Sequence, residues 1–346
     1  MKAAVIYGTG DIRYDDIADP QCGADDVIIA VSACGICGSD SPRILTNWKY
    51  PVPGVPGHEF AGKIIEVGKN VNGLALGDAV VAQPLIPCHS CIHCKSGHYS
   101  MCDDITMIGA DVPGGYAEFV KVPAANVLKT GNIPLDQAAL IEPCAVALYG
   151  VLGIQPCMGD TVAILGMGTI GQLVLQWCKI YGVRRVIAVD ISEKKLAEAK
   201  ALGADYCING LKCDVEKEIL ELTQGQGVDI AMETAGSKIT QEQCLLITKK
   251  QGKVGYLGIA RADILLKEKS FESIFRHELT LKGFWNSYTA PFPGAAWAKS
   301  VEYIQDGRVE LEKLISHRFS LAEVENAFQL IKDRQEEYNK ILFVME

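Results

Sequence analysis

Between residues 161 and 190 the chain reads as strand, glycine turn, helix, strand and acid, an order that few folds accommodate. Val162-Ala163-Ile164-Leu165 is a short aliphatic run, the pattern of a strand covered on both faces. Gly166-Met167-Gly168-Thr169-Ile170-Gly171 follows, then an apolar helical stretch toward Tyr181, then Arg185-Val186-Ile187-Ala188-Val189-Asp190. Ser192 with Glu193-Lys194-Lys195-Leu196 opens another helix, and later strands are expected at 228–232 and 253–257. Strands alternating with helices predict an α/β unit with a parallel, doubly wound sheet. The glycine spacing has a physical reason. Gly166 makes the tight turn, Gly168 admits a pyrophosphate to the helix N-terminus, and Gly171 lets helix and strand pack closely. Thr169 and Ile170 belong to the same cradle. Asp190 would accept hydrogen bonds from the adenosine ribose and repel a 2′-phosphate, which predicts NAD over NADP. Lys194 and Lys195 lie close enough to soften that preference. Thr234, Leu257, Gly258 and Ile259 follow later strands and should line the cofactor, because open α/β sheets bind ligands at the carboxyl ends of their strands.

Residues 161–178 carry no charge over 18 positions, near the ~20 a membrane span requires. Three glycines, Gln172 and Gln176 favour a strand, a turn and a buried helix instead. The opening Met1-Lys2-Ala3-Ala4-Val5-Ile6-Tyr7-Gly8 reads as a first strand, not a signal peptide. A net charge of −9 argues against general binding to nucleic acid or to anionic membranes.

Residues 1–150 have a different rhythm, with short β-branched runs punctuated by Gly, Pro and Asp, which predicts a β-rich domain with long loops. Residues 137–153 read as helix, Ser320-Leu321-Ala322-Glu323 as a capping box, and Lys340-Ile341-Leu342-Phe343-Val344 as a last strand. The 13 cysteines are odd in number, in a chain far larger than disulfide-stapled domains, so reduced thiols in the cytoplasm are expected. Cys88, Cys91, Cys94 and Cys102 cluster in a polar loop. Four thiolates fill a tetrahedral, structural zinc site, with an iron–sulfur cluster as the chemical alternative. His89 and His93 beside them are expected to be solvated, since four sulfurs suffice. A second group comprises Cys34-Gly35-Ile36-Cys37-Gly38-Ser39-Asp40, Gly57-His58-Glu59-Phe60-Ala61-Gly62 and Ile141-Glu142-Pro143. Thiolate, imidazole and carboxylate together make an open zinc site with room for water or substrate.

These motifs, in this order, resemble the zinc-dependent medium-chain alcohol/polyol dehydrogenases, in their sorbitol-dehydrogenase-like branch, over essentially the whole chain. The resemblance implies a discontinuous GroES-like catalytic domain, 1–150 with 286–346, bearing a zinc lobe at 84–105, and a Rossmann NAD domain at 151–285. It implies a catalytic zinc on Cys37, His58 and either Glu59 or Glu142, a second, structural zinc, and Ser39 as proton relay. Pro42 stands where such enzymes carry a relay histidine. It also implies a homodimer or homotetramer, and oxidation of a polyol secondary alcohol. Ser39-Asp40-Ser41-Pro42-Arg43-Ile44, Pro84-Leu85-Ile86-Pro87-Cys88, Gly283-Phe284-Trp285-Asn286-Ser287-Tyr288, Pro291-Phe292-Pro293-Gly294 and Trp297 resemble the polyol-phosphate members of that branch, a resemblance that implies galactitol 1-phosphate as substrate. Sorbitol, L-iditol, threonine or 2,3-butanediol are the alternatives, with a non-catalytic NAD-binding protein behind them. Arg43 and Lys49 are candidate phosphate ligands and Asn286 a further substrate contact.

Overall fold

The computed structural model describes residues 1–333 and 336–345, which form two compact units. One is Met1–Glu142 with Ser287–Glu346; the other is Pro143–Asn286. The chain passes from the first to the second inside the helix Ile141–Ile154. A single helix was expected over 137–153, but Leu135–Ala138 forms its own short turn before it.

The second unit is the doubly wound sheet. Its six strands lie in the order Tyr206–Asn209, Arg185–Asp190, Thr161–Leu165, Val228–Glu233, Thr248–Tyr256 and Thr280–Gly283, all parallel. By chain order this is 3-2-1-4-5-6, so the direction of winding reverses between Thr161–Leu165 and Val228–Glu233. Ala163, Leu165, Ile187, Ala231 and Val254 are wholly buried, as strands covered on both faces require. The helices start on side-chain caps: Ser192 accepts from the Lys195 N–H, Asp214 from Lys217 and Ser237 from Ile239. The uncharged stretch 161–178 resolves into the strand Thr161–Leu165 and the helix Thr169–Ile180, with Gln172 and Trp177 buried. Among the described residues no helix is long and apolar enough to cross a membrane.

The first unit is built on a seven-stranded sheet. Asp26–Gly35 is its hub, pairing antiparallel with Glu59–Val67, Phe119–Pro123 and the terminal strand Lys340–Val344. Lys340–Val344 also pairs in parallel with Ile315–Ser320. The last strand therefore lies beside one of the first, and residues some 300 positions apart in sequence meet in one core. The capping box is present: the Ser320 N–H donates to Glu323 Oε2 at 2.9 Å.

Strand contact in this sheet is close at Gly62, where a Cβ would meet the Ala30 carbonyl oxygen of the neighbouring strand. Backbone cannot yield as a flexible side chain can. Gly62→Ala is expected to lower unfolding stability by about 1–3 kcal/mol, read as a shifted urea midpoint.

Candidate active site

Cys37, His58 and Glu59 come from two neighbouring stretches of the first unit. Cys37 follows the end of Asp26–Gly35, and His58 immediately precedes the antiparallel strand Glu59–Val67. The Gly35↔Glu59 pairing brings those two ends together. One ligand atom from each of Cys37, His58 and Glu59 lies within 4.8 Å of the others. Cys37 and Ser39 are half-buried and Gly38 is exposed, so one side of the group is open. The Ser39 hydroxyl donates to Cys37 Sγ at 3.1 Å.

Glu59 is committed on its other side. Lys340 Nζ donates to Glu59 Oε1 at 2.9 Å and Oε2 at 2.6 Å, and to the Ile36 carbonyl at 3.1 Å. The two side chains are only 4% and 2% exposed, so neither charge is compensated by water. Burial pulls the Lys340 ammonium down, but Glu59 and Cys37 more than offset this. Glu142 is buried in the same surroundings, and no side chain among the described residues hydrogen-bonds to its carboxyl group. Burial pushes Glu142 up to about 7; His58 and Lys340 pull it down, while Glu59 and Asp40 push it further up.

Asp40 and Lys340 were not singled out for roles from the sequence. Asp40 Oδ1 faces His58 Nδ1 at 3.5 Å, long for a hydrogen bond but close enough for charge. The buried Tyr116 hydroxyl contacts Asp40 Oδ2 at 3.3 Å. Burial depresses the His58 imidazole, but Asp40 and Cys37 reverse this and hold it well above its usual value. A thiol and three carboxyl groups therefore surround one imidazole and one ammonium. That surplus of negative donors fits a bound dication. Ser39 and Asp40 are adjacent in sequence, so the local signal for Asp40 lay in plain view. Lys340 gave no comparable signal, because its partner is 281 residues away.

The four-cysteine lobe is assembled as the spacing suggests. All four sulfurs lie within 4.8 Å of one another, and Cys88 Sγ is 4.0 Å from Cys94 Sγ. A zinc ion ~2.3 Å from each sulfur would set them about 3.8 Å apart, whereas a disulfide would need ~2.05 Å. Backbone N–H groups point at sulfur: Cys88 at Cys102, Cys91 at Cys88 and Cys94 at Cys91, over 3.2–3.4 Å. The Ser90 hydroxyl and backbone donors pull Cys88 down to about 6, whereas burial and the adjacent sulfurs push Cys94 up to about 12. His89 is exposed and His93 is 44% exposed, facing Asp103 at 3.7 Å, so the histidines stay outside the sulfur cluster. Ser100 exchanges hydrogen bonds with the backbone of Tyr288, and Tyr99, Tyr288, Phe292 and Trp297 continue from the lobe as an aromatic series.

In the second unit the glycine turn fits a dinucleotide. Gly166 has φ +103° and a Cβ there would lie 2.7 Å from Ala235 N. At Gly171 a Cβ would strike the Gly166 carbonyl, while at Gly168 it would meet nothing within 4 Å. Gly168 caps the helix with no side-chain hydrogen bond, an arrangement that suits an anion at the helix N-terminus. Asp190 Oδ2 accepts from the Met167 N–H at 2.6 Å, and Oδ1 from Ile191 and Ser192 at 2.7 and 2.9 Å. Thr169 and Ile170 form the first helical turn, and Lys195 lies in the helix after Asp190. Thr234, Leu257, Gly258 and Ile259 follow the strands Val228–Glu233 and Thr248–Tyr256. Arg43 is half-buried in the helix Asp40–Thr46; burial pushes the Asp40 carboxyl up, and the Arg43 charge opposes that shift in part, whereas Lys49 is exposed beyond that helix. Asn286 closes the second unit with φ +54°.

Two family models match, the alcohol dehydrogenase GroES-like domain over residues 23–134 and the zinc-binding dehydrogenase over 169–302. The chain is 35% identical to galactitol 1-phosphate 5-dehydrogenase of Escherichia coli strain K12 over 335 residues, 96% of each chain. It is 30% identical to sorbitol dehydrogenase of Bacillus subtilis strain 168, over 99% of this chain and 96% of that one. The crystal structure of galactitol-1-phosphate dehydrogenase from Escherichia coli superposes with a TM-score of 0.94 at 34% identity, covering 99% of this chain and 100% of that one. The chain belongs to the zinc-dependent medium-chain alcohol/polyol dehydrogenases, an oxidoreductase family with GroES-like and Rossmann-type domains that uses zinc and NAD.

Removing one sulfur should open the lobe. Cys94→Ser is expected to lose the lobe's zinc, about half of the total by the ligand sets described, and to expose residues near Tyr288 to protease. Metal analysis and a proteolysis time course check this.

Proposed function

We propose that this chain oxidises a phosphorylated polyol, galactitol 1-phosphate, at a secondary alcohol to the ketone tagatose 6-phosphate, with NAD as acceptor. The observation that carries this is Arg43. Its guanidinium is near the open metal group and has no ion-pair partner among the described residues. A free, half-buried arginine beside a reaction site suits a substrate phosphate, which takes planar, bidentate donors. Identity of 35% with a galactitol 1-phosphate 5-dehydrogenase supports the same substrate.

Cys37, His58 and Glu142 are assigned as the zinc ligands. Glu59 lies nearer, but both its oxygens are taken by Lys340, so Glu142, which has no such partner among the described residues, is the carboxyl group left to give up its proton to a zinc ion. When bound, zinc supplies Lewis acidity that favours loss of the substrate hydroxyl proton, and NAD supplies the hydride acceptor. Ser39 receives the proton at Oγ and releases it toward the exposed side at Gly38, since Pro42 cannot carry one. Asp40 keeps the His58 ring oriented, and Tyr116 steadies Asp40. Asp190 fixes a negative charge where the adenosine ribose would lie, which favours NAD over NADP. The remaining cofactor contacts are assigned to Gly166, Gly168, Thr169, Ile170, Gly171, Lys195, Thr234, Leu257, Gly258 and Ile259. A homodimer or homotetramer belongs to the same reading, supported by the edge strand Thr280–Gly283, exposed at all four residues. A cytoplasmic site is supported by 13 free cysteines.

The test is NADH production from galactitol 1-phosphate, galactitol, sorbitol, xylitol, threonine and 2,3-butanediol, with NAD and NADP compared. The phosphorylated substrate with NAD should give the highest kcat/KM. Arg43→Ala should raise KM for it about tenfold or more, the scale of one charged hydrogen bond, and leave sorbitol unaffected. Equal use of galactitol with and without phosphate would overturn the substrate assignment.

A further inference from the structure

The loops after the strands Thr161–Leu165, Val228–Glu233 and Thr248–Tyr256 meet where the winding of the parallel sheet reverses. One buried residue, Glu233, touches two of them directly and the third through its neighbour. Its main-chain carbonyl accepts from the Leu257 and Gly258 N–H groups at 2.9 and 3.0 Å. Its side chain turns back into its own loop. Oε1 accepts from the Ala235 N–H at 3.0 Å, the Gly236 N–H at 2.9 Å and the Thr240 hydroxyl at 2.6 Å. The adjacent Thr234 hydroxyl lies 2.6 Å from the Gly166 carbonyl and 3.1 Å from that of Leu165, and the Thr234 N–H donates to Leu165.

The other carboxylate oxygen is unusual. Glu233 has no exposed surface, and Oε2 has no hydrogen-bond partner among the described residues. It lies where a Cβ on Gly258 would stand, a place the Gly236 backbone nitrogen crowds as well, so Gly258 leaves room for the carboxylate and for the neighbouring loop together. Gly236 is fitted just as closely, since its own Cβ would strike the Ile259 carbonyl. A buried, half-satisfied carboxylate is a costly way merely to fill space. An oxygen bearing charge can hold three donors at once, whereas an amide oxygen at the same place is the weaker acceptor. An amide would also press an unpaired NH₂ against Gly258. The outer residues of these loops, Ala235 and Ile259, are exposed, so the backbone groups they present are set from beneath by Glu233.

We propose that Glu233 is a positioning residue for the dinucleotide, fixing the backbone of residues 234–237 and 257–259 against the glycine turn so that the nucleotide meets a preformed surface. The inference rests on these loops lining the cofactor. Its effect belongs to cofactor affinity, not to hydride transfer, because Glu233 is buried beneath the loops and touches no reacting atom.

The experiment titrates zinc-loaded wild type, Glu233→Gln, Thr240→Val and the double variant with NADH by fluorescence, alongside thermal melts and steady-state kinetics. Glu233→Gln should raise the NADH Kd and the KM for NAD about tenfold, the scale of one lost charged hydrogen bond, while kcat at saturating NAD changes less than about twofold. Thr240→Val, which leaves the carboxylate in place and removes one donor, should raise the Kd about threefold and serves if Glu233→Gln fails to fold, and the double variant should be no worse than Glu233→Gln alone. A lower melting temperature with wild-type Kd would show a purely structural residue and overturn the proposal, as would additive single variants or a fall in kcat alone. Wild type that does not bind NADH would instead sink the reading of the loops themselves.

Discussion

The Glu59–Lys340 pair holds the metal-binding end of the first unit together. Two charges buried to this degree are stable only in each other's company, and removal of either partner from such a pair costs about 3–5 kcal/mol. Lys340 opens the terminal strand, Glu59 follows His58, and Ile36, whose carbonyl Lys340 also binds, precedes Cys37. One ammonium thus joins the end of the chain to both stretches that carry the metal donors. Gly35 is part of the same construction, because a Cβ there would strike Glu59 Oε2 and lie 3.3 Å from Lys340 Cδ.

The two metal-binding groups differ in the way their chemistry requires. In the lobe, four sulfurs close on one another and backbone N–H groups favour their ionised form, so every coordination position is filled by protein. At Cys37 the donors are mixed, the side toward Gly38 is open, and buried carboxyl groups outnumber the cations that offset them. The first arrangement fits a closed, structural zinc; the second fits an open one.

What could be read from the sequence was what physics writes locally. Glycines at 166, 168 and 171 lie within one turn and one helix start, and the acid at 190 ends the next strand, so spacing alone carried the dinucleotide fold. The cysteine spacing carried the lobe for the same reason. Lys340 could not be found this way, since a lysine before an apolar strand is ordinarily a solvated end. Glu233 ends the strand Val228–Glu233, and the fit of its carboxylate depends on room left by Gly258 in another loop, which no local spacing records. The eight cysteines outside the two metal groups divide by exposure. Cys34, Cys144, Cys178 and Cys244 are buried, whereas Cys207, on the edge strand Tyr206–Asn209, and Cys157 are exposed and Cys22 and Cys213 are half-buried.

The ligand assignment is tested most directly by a crystal structure of the zinc-loaded protein with anomalous data collected at the zinc edge. One peak should lie among the four lobe sulfurs and another among Cys37, His58 and Glu142, with Glu59 still bound to Lys340. No peak at Cys37, or a peak bound by Glu59 with Lys340 set free, would contradict it.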